Sequence, residues 1–468
     1  MDLLIAIAGL GIICLIAEIF NGRKAIVPIT LAGLIAILGY AGYKAYGVVT
    51  GTNTGFGLNE QQYFNMVVSD RYAVSFSTLF ILLTIFLVAL SYDFHKKHSQ
   101  KLSDFIAIKL FLLTGAVAMV SFGNLAMFFL GIEILSIALY VLAGSEPKNV
   151  KSNEAGMKYF LMGAFASGVI LFGIALIYGA TGSFNTAEIF AASATELPVW
   201  FTIGIVLLTV GLLFKIAAVP FHFWAPDVYE GAPTLSTATM ATLAKVAAVA
   251  AFFRLMKSMN HEVSGAYIVV ITIAIVLSMT VGNLLALRQD NVKRMLAYSG
   301  ISHAGFMLMI FLNPTFADGT LLYYASAYSL AGIAAFSVVI FVCTNKDNEK
   351  IYNFNGLGKS NPAMAAVLTC ALLSMAGIPI FSGFFAKFFL FQQTLSRGHV
   401  ALVIIAVINS IVSVGYYFKL ILAMYTKDST EETQPAPVLY KAVAIISILI
   451  TIGLGLYPDL VHNFFFIR

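Results

Sequence analysis

Apolar runs recur along the chain at near-regular intervals, separated by short polar stretches. A helix needs about 20 mainly apolar residues to cross a bilayer. Windows of that kind lie at 2–20, 26–43, 72–91, 105–122, 124–143, 157–180, 199–219, 234–256, 266–286, 294–312, 320–344, 363–395, 400–425 and 438–457. The pattern predicts fourteen crossings. Only Gly123 and Asn124 separate the fourth from the fifth. The window 363–395 is too long for one straight helix, and Gly377-Ile378-Pro379 with Ser382-Gly383 predicts a break inside it. Proline removes a backbone donor, so a break at membrane depth must find its hydrogen bonds inside the protein. Ala218-Val219-Pro220-Phe221 predicts a second break, at the end of the seventh window.

The polar stretches set orientation. One alternate set of loops and span ends holds Arg23, Lys24, Lys96, Lys97, Lys101, Lys148, Lys151, Lys158, Arg288, Lys293, Arg294, Lys346, Lys350, Lys359, Lys427 and Lys441. The other holds only Lys44, Arg71, Arg254, Lys257, Arg397 and Arg468. Basic loops stay on the inner side, which places both termini outside and agrees with an even number of crossings. Windows four to eight and nine to thirteen each carry a proline break in their fourth helix. Two units of five helices must enter the membrane in opposite senses, the inverted-repeat plan of many transporters. The expected organisation is three helices in 1–104, one unit in 105–257, its inverted counterpart in 258–427 and a last helix in 428–468. The fold class is therefore an all-α polytopic membrane protein with two inverted five-helix repeats, each containing a broken helix.

Composition narrows the class further. Hydrophobic residues make up 60% of the 468 positions and charged residues 10%, with a mean hydropathy of +0.91. Soluble domains carry about 25% charged residues. The net charge of +5 follows from the inner loops and implies no nucleic-acid partner. Cys14, Cys343 and Cys370 are scattered through separate apolar runs, without the spacing of a disulfide framework or a metal site. The first run begins with Asp2 rather than a basic segment and reads as a retained helix, not a cleaved signal. No phosphate-binding glycine loop and no cysteine or histidine cluster for a haem or iron–sulfur centre is present, so no cofactor is expected on this chain. Aromatic residues reach 13%, but membrane proteins concentrate them at interfaces, which leaves little support for quinone binding here.

Once the loops are subtracted, Lys109, Glu133, Lys215, Lys245, His303, Lys387 and Lys419 remain at membrane depth, with Glu18 near the end of the first run. Lys109 and Lys419 lie near span ends, where a long side chain reaches the interface. The other five lie deeper. An ionised lysine in hydrocarbon costs about 2.5–3.5 kcal/mol on insertion scales, so chains that keep several usually use them. Glu133 needs a cation to stay ionised, and Lys215 or Lys245 is the expected partner. A static buried ion pair would be a weak stabiliser. Burial disfavours the charged form of an amine, which suits Lys245 and Lys387 to carrying protons. Lys215, just before the break at Pro220, is placed to modulate them. His303, near Ser299 and Ser302, reads either as a hydrogen-bonded core residue or as a relay. His222, just past Pro220, could gate entry from the inner face.

The runs LLFKIAAVPFHFWAPDVYEGAPTLSTATMATLAK, GIEILSIALYVLAG and NVKRMLAYSGISHAGF resemble the antiporter-like membrane subunits of respiratory complex I. The wording APDVYEGAPT resembles the N branch of that family rather than the L or M branches. A lysine at Lys387, where the M branch has a carboxylate, points the same way, as does the lack of a long extension after the last run. The resemblance covers nearly the whole chain. It implies Glu133 as coupling carboxylate, Lys215 as its partner, Lys245 as central proton site and Lys387 as exit-side lysine. It also implies neighbouring membrane subunits of the M, K and L types, a bacterial inner membrane, and NADH, FMN, iron–sulfur clusters and quinone in partner subunits. The competing expectations are a Mrp-type cation/proton antiporter subunit and a scaffold whose charges only fix helix packing. The aromatic-rich end HNFFFIR matches no pattern read here.

Overall fold

The structure, a computed structural model, describes residues 1–20, 23–50, 65–97, 102–194, 196–259, 265–314, 317–344, 346, 348–428 and 436–462. Lys101, Arg468 and the last six residues of HNFFFIR, used or quoted above, lie outside them.

Helices α1 (Asp2–Ile19), α2 (Arg23–Thr50) and α3 (Arg71–Lys97) open the chain. A first unit runs through α4 (Leu102–Ser121), α5 (Leu125–Ala143), α6 (Val150–Thr181), the short α7 (Thr186–Ala192), α8 (Val199–Lys215), α9 (Trp224–Gly231), α10 (Thr234–Thr239) and α11 (Lys245–Met259). A π-helical turn, Met240–Ala244, joins α10 to α11. The second unit comprises α12 (Gly265–Leu287), α13 (Val292–Leu308), α14 (Asp318–Cys343), the short α15 (Leu357–Ser360), α16 (Pro362–Ala376), α17 (Ser382–Leu395) and α18 (Val400–Thr426). The chain closes with α19 (Val438–Leu456) and α20 (Asp459–His462). No strand forms among the described residues beyond three isolated bridges.

Among the described residues, twelve helices, with α10 to α11 running as one, are long and apolar enough to cross a membrane. The remaining two crossings are the broken pairs α8–α9 and α16–α17, which completes the expected fourteen. The turn between α4 and α5 takes only Phe122, Gly123 and Asn124. A side chain at Gly123 would run into the Asn65 carbonyl, and Asn124 accepts from the Ala126 N–H to cap α5. The helices that carry the central groups are the most enclosed. The spans Thr234–Ser258 and Val292–Leu312 are wholly buried, whereas α1, α2, α6, α12, α18 and α19 form the outer wall.

Both breaks are built as membrane depth requires. The seventh window reached residue 219, but α8 stops at Lys215, with Ala217 at φ 58° and a cis Val219–Pro220 peptide beyond it. The freed Val219 N–H donates to Ser278 Oγ of α12 at 2.9 Å. The Phe214 carbonyl, which also accepts from the Ala217 N–H at 3.0 Å, accepts from the Trp224 indole N–H at 3.1 Å, and that indole stacks on Tyr159 of α6 at 4.6 Å. In the second break Gly377 turns out of α16 at φ 89° and Ile380 lies at φ 85°. The Gly383 N–H there donates to Ser374 Oγ at 3.3 Å. Helix α19 packs Gly455 so closely on Ile380 and Phe381 that any side chain at 455 would collide with them. Helix α7 and the π-turn were not expected from the sequence. The first is too short to show a period, and the second differs from an α-helix by a single hydrogen-bond register.

Candidate proton path

On α5, Glu133, Ser136 and Tyr140 share one face, because spacings of three and four stack on a helix. Lys215, in the last turn of α8 where the helix dipole favours a cation, reaches across to that face. Its Nζ donates to Ser136 Oγ at 2.8 Å, to Ser167 Oγ of α6 at 3.1 Å and to the Tyr140 hydroxyl at 3.4 Å. The Tyr140 ring fits there only because residue 163 is glycine, since a Cβ would overlap its hydroxyl. Glu133 stands one turn away, half-buried, its Oε1 enclosed without a hydrogen-bond partner. No ion pair within 4.0 Å joins Glu133 to either expected lysine, although its charge acts on Lys215 through space. The structure thus brings the carboxylate and Lys215 into one another's field while hydroxyls hold the amine.

Lys215 and Lys245 both line a cavity of ≈ 20 Å³, with Ser136, Tyr159, Trp224, Tyr229 and Met240 among its other walls. A water needs about 10–15 Å³ of such space, so the cavity has room for one. Lys245 opens α11 directly after the π-turn, a distortion frequent at functional positions. It is 4% exposed, its Nζ has no hydrogen-bond partner, and it lies 5.8 Å from the centre of the Tyr229 ring. On its far side is the bare backbone of Gly300. A Cβ at residue 300 would sit 2.7 Å from Lys245 Nζ and 3.0 Å from the Tyr328 hydroxyl.

Tyr328 leads to His303, whose ring centre is 4.8 Å from its own. His303 Nδ1 bonds the Tyr324 hydroxyl at 2.8 Å and Nε2 the Tyr417 hydroxyl at 3.3 Å. The expected neighbours of His303 are placed otherwise. Ser299 bonds Tyr417 at 2.5 Å, and Ser302 Oγ is buried without a partner. Lys387, in α17, donates to the Ala376 carbonyl and to Ser410 Oγ, both at 2.8 Å, and lies 5.0 Å from the centre of the Phe306 ring. It thereby caps the carbonyl end of the broken α16. His222 is buried in the first break, its Nδ1 unpartnered and its ring 4.3 Å from that of Phe223.

Two further groups behave differently from one another. Lys419 reaches the surface and pairs with Asp290 at 2.8 Å, as its place near a span end suggested. Lys109 does not. It is 2% exposed and donates to Ser91 Oγ at 2.5 Å, because α3 covers the path to the interface. On the basic side of the molecule Arg294 bonds Asp227 at 2.6 Å and Glu230 at 3.1 Å, tying α9 to α13. Lys293 bonds Glu349 and the Ala232 carbonyl, both at 2.8 Å, beside a polar cavity of ≈ 310 Å³. Gly300, Tyr229, Tyr328 and the α18 hydroxyls were missed in the sequence because none is costly at membrane depth. No group of three or more potential metal ligands occurs among the described residues.

The family described as NADH:quinone oxidoreductase/Mrp antiporter, transmembrane, matches residues 123–413, from the turn before α5 to the middle of α18. The chain belongs to this family. It is 63% identical to the NADH-quinone oxidoreductase subunit N of Flavobacterium johnsoniae, over 98% of this chain and 99% of that one. It is 43% identical to the subunit N of Cytophaga hutchinsonii, over 98% of each. Among solved structures it superposes with a chain of respiratory complex I from Thermus thermophilus at a TM-score of 0.83, 29% identity and 98% coverage of both. A chain of the Mrp complex from Dietzia shares the fold at a TM-score of 0.86, with 21% identity over 99% of this chain and 95% of that one. Within the family the resemblance is to subunit N, antiporter-like and of the complex I membrane arm.

Proposed function

We propose that this chain moves protons across the membrane as the antiporter-like subunit N of an NADH-quinone oxidoreductase, by way of Glu133, Lys215, Lys245, His303 and Lys387. The observation that carries the reading is the gathering of these groups at membrane depth, with Lys215 and Lys245 lining one water-sized cavity and Lys245 and His303 on the two wholly buried spans. Electron transfer from NADH through FMN and iron–sulfur clusters to quinone takes place in partner subunits, and M-, K- and L-type subunits are the membrane neighbours. The chain sits in a bacterial inner membrane with both termini outside. His222 gates the inner side of the first break.

The mechanism follows from which contacts Lys215 makes. In the present state three hydroxyls hold its ammonium near the cavity it shares with Lys245. Two ammonium groups lining one buried cavity repel, because the low effective dielectric of the interior screens like charges far less than water does. A swing of Lys215 toward the unpartnered Glu133 oxygen relieves that repulsion, and its return drives the Lys245 proton toward Tyr328 and His303. The trigger is a change of charge outside this chain that Glu133 senses.

The test is Lys245→Ala in the intact complex reconstituted into liposomes. Proton pumping by this path is expected to be lost while the assembled complex is recovered in normal yield. Loss of assembly with normal pumping in whatever assembles would support the scaffold instead. Strict dependence of transport on sodium would support the Mrp-type reading.

A further inference from the structure

The direct line from His303 to Lys387 is closed by a ring. Phe306 follows His303 by one turn on α13, its ring centre 6.2 Å from that of the histidine, and Lys387 Nζ lies over its face at 5.0 Å. A phenyl ring neither accepts nor hands on a proton. Another set of groups goes round it.

Helix α18 carries Ser410, Ser413 and Tyr417 at spacings of three and four, hence on one face. At one end Tyr417 bonds His303 and Ser299. Beside it the Tyr416 hydroxyl donates to Asn283 Oδ1 at 3.1 Å and lies close to the hydroxyls of Tyr417, Ser299 and Ser413. At the other end Ser410 Oγ accepts from Lys387 Nζ and donates at 3.2 Å to the Ala376 carbonyl. Ser413 Oγ donates at 2.6 Å to the backbone carbonyl of Ser410, not to its hydroxyl. Both serine donors are thus turned to carbonyls. A carbonyl only accepts, whereas a hydroxyl both accepts and donates, so in this arrangement the hydrogen bonds that start at His303 do not run through to Lys387.

We propose that Ser413 is the relay residue that joins His303 to Lys387 around Phe306, its hydroxyl turning from the Ser410 carbonyl to the Ser410 hydroxyl, and that of Ser410 from the Ala376 carbonyl to Lys387, when a proton passes. Facing side chains three apart on a helix have Cβ atoms about 5–6 Å apart, so two hydroxyls rotated inward meet directly or through one water. In the closed state each hydroxyl takes one proton from the side of His303 and gives its own to the next group. The imidazolium of His303 loses a proton, the neutral amine of Lys387 gains one, and every serine and tyrosine ends as it began. The parked state interrupts this path, which keeps protons from running back through Lys387.

The inference rests on the proton-path reading, and the experiment separates the two. Ser413→Ala, Ser413→Thr, Ser410→Ala and Lys387→Ala are made in the intact complex, recovery of the assembled complex is checked, and pumping in liposomes is followed in H₂O and D₂O. Ser413→Ala is expected to lower pumping to the level of Lys387→Ala and to raise the solvent isotope effect. Ser413→Thr, which keeps the hydroxyl, is expected to restore both to the unaltered values. Ser410→Ala is expected to behave as Ser413→Ala does. Impaired pumping in Lys387→Ala beside normal pumping in Ser413→Ala overturns the relay alone. Normal pumping in Lys387→Ala overturns the path and the relay with it. A Ser413→Thr variant as impaired as Ser413→Ala also overturns the relay, because it makes the residue's size rather than its hydroxyl decisive.

Discussion

At the scale of single residues, the environment of Lys245 rests on what its neighbour lacks. Gly300 presents bare backbone to the amine, and the nearest atoms to a Cβ there are Lys245 Nζ and the Tyr328 hydroxyl. Both belong to the far ends of side chains, which can move aside. Gly300→Ala is therefore expected to leave the complex assembled and to cut pumping several-fold, since the amine is pushed off the route to Tyr328. Normal pumping by that variant, measured beside normal assembly, would show that the approach of Lys245 to Tyr328 is incidental. Glu133 calls for a different expectation. With no hydrogen bond to its buried oxygen, Glu133→Gln leaves packing intact and removes only a charge. Thermal stability of the complex should stay unchanged while coupling falls.

At the scale of elements, each broken helix is held from outside its own unit. The first break leans on Ser278 of α12 and the second on Gly455 of α19. Ser278→Ala leaves the Val219 N–H buried without a partner, a loss of about 1–3 kcal/mol. A lower thermal midpoint of the isolated complex is expected, with recovery in Ser278→Thr. The tie between Asp290 and Lys419 is of another kind. The Lys419 ammonium, bonded to the Asp290 carboxylate, holds that carboxyl below its ordinary value of 3.8. A carboxylate so shifted contributes stability above the ordinary value and loses it only as pH falls through the lower, folded-state one. The pair is largely exposed, and exposed pairs contribute at most about 1 kcal/mol. Asp290→Asn should leave the pH profile of pumping between about pH 6 and 8 unmoved, because that window lies far above the carboxyl's range.

At the scale of the whole molecule, the asymmetry of basic residues predicts which face each loop occupies. Lys148 and Ser396 are both exposed and lie in loops of opposite sets. Cysteines placed singly at these positions should react with a membrane-impermeant maleimide from opposite sides, residue 148 from the inner face. Labelling of both from one side would contradict the even count of crossings between the termini. The same asymmetry predicts the inner face for Arg294, Asp227, Glu230, Lys293 and Glu349, and the Arg294 pairs clamp α9 beside the first break. A polar cavity of ≈ 310 Å³ lies beside Lys293 and Glu349, whereas the spans that carry Lys245 and His303 are wholly buried.

Much of this was legible in the sequence because it is local. The number and place of the crossings follow from matching apolar runs to bilayer thickness. The breaks follow from prolines that cannot donate, and the ionisable side chains of the path stand out because hydrocarbon makes them costly wherever they point. What surrounds those side chains is decided by distance in space. Lys215 is held by Ser136 and Ser167, residues 79 and 48 positions away, and common serines on other helices carry no mark of their role. The same holds for Gly300, for the hydroxyl stripe of α18 and for Lys109, whose burial depends on the helix that covers it. Local chemistry determined which groups the membrane would hold. Only the packing of distant helices decided which of them meet, because a buried polar atom takes whatever partner the fold delivers within about 3 Å.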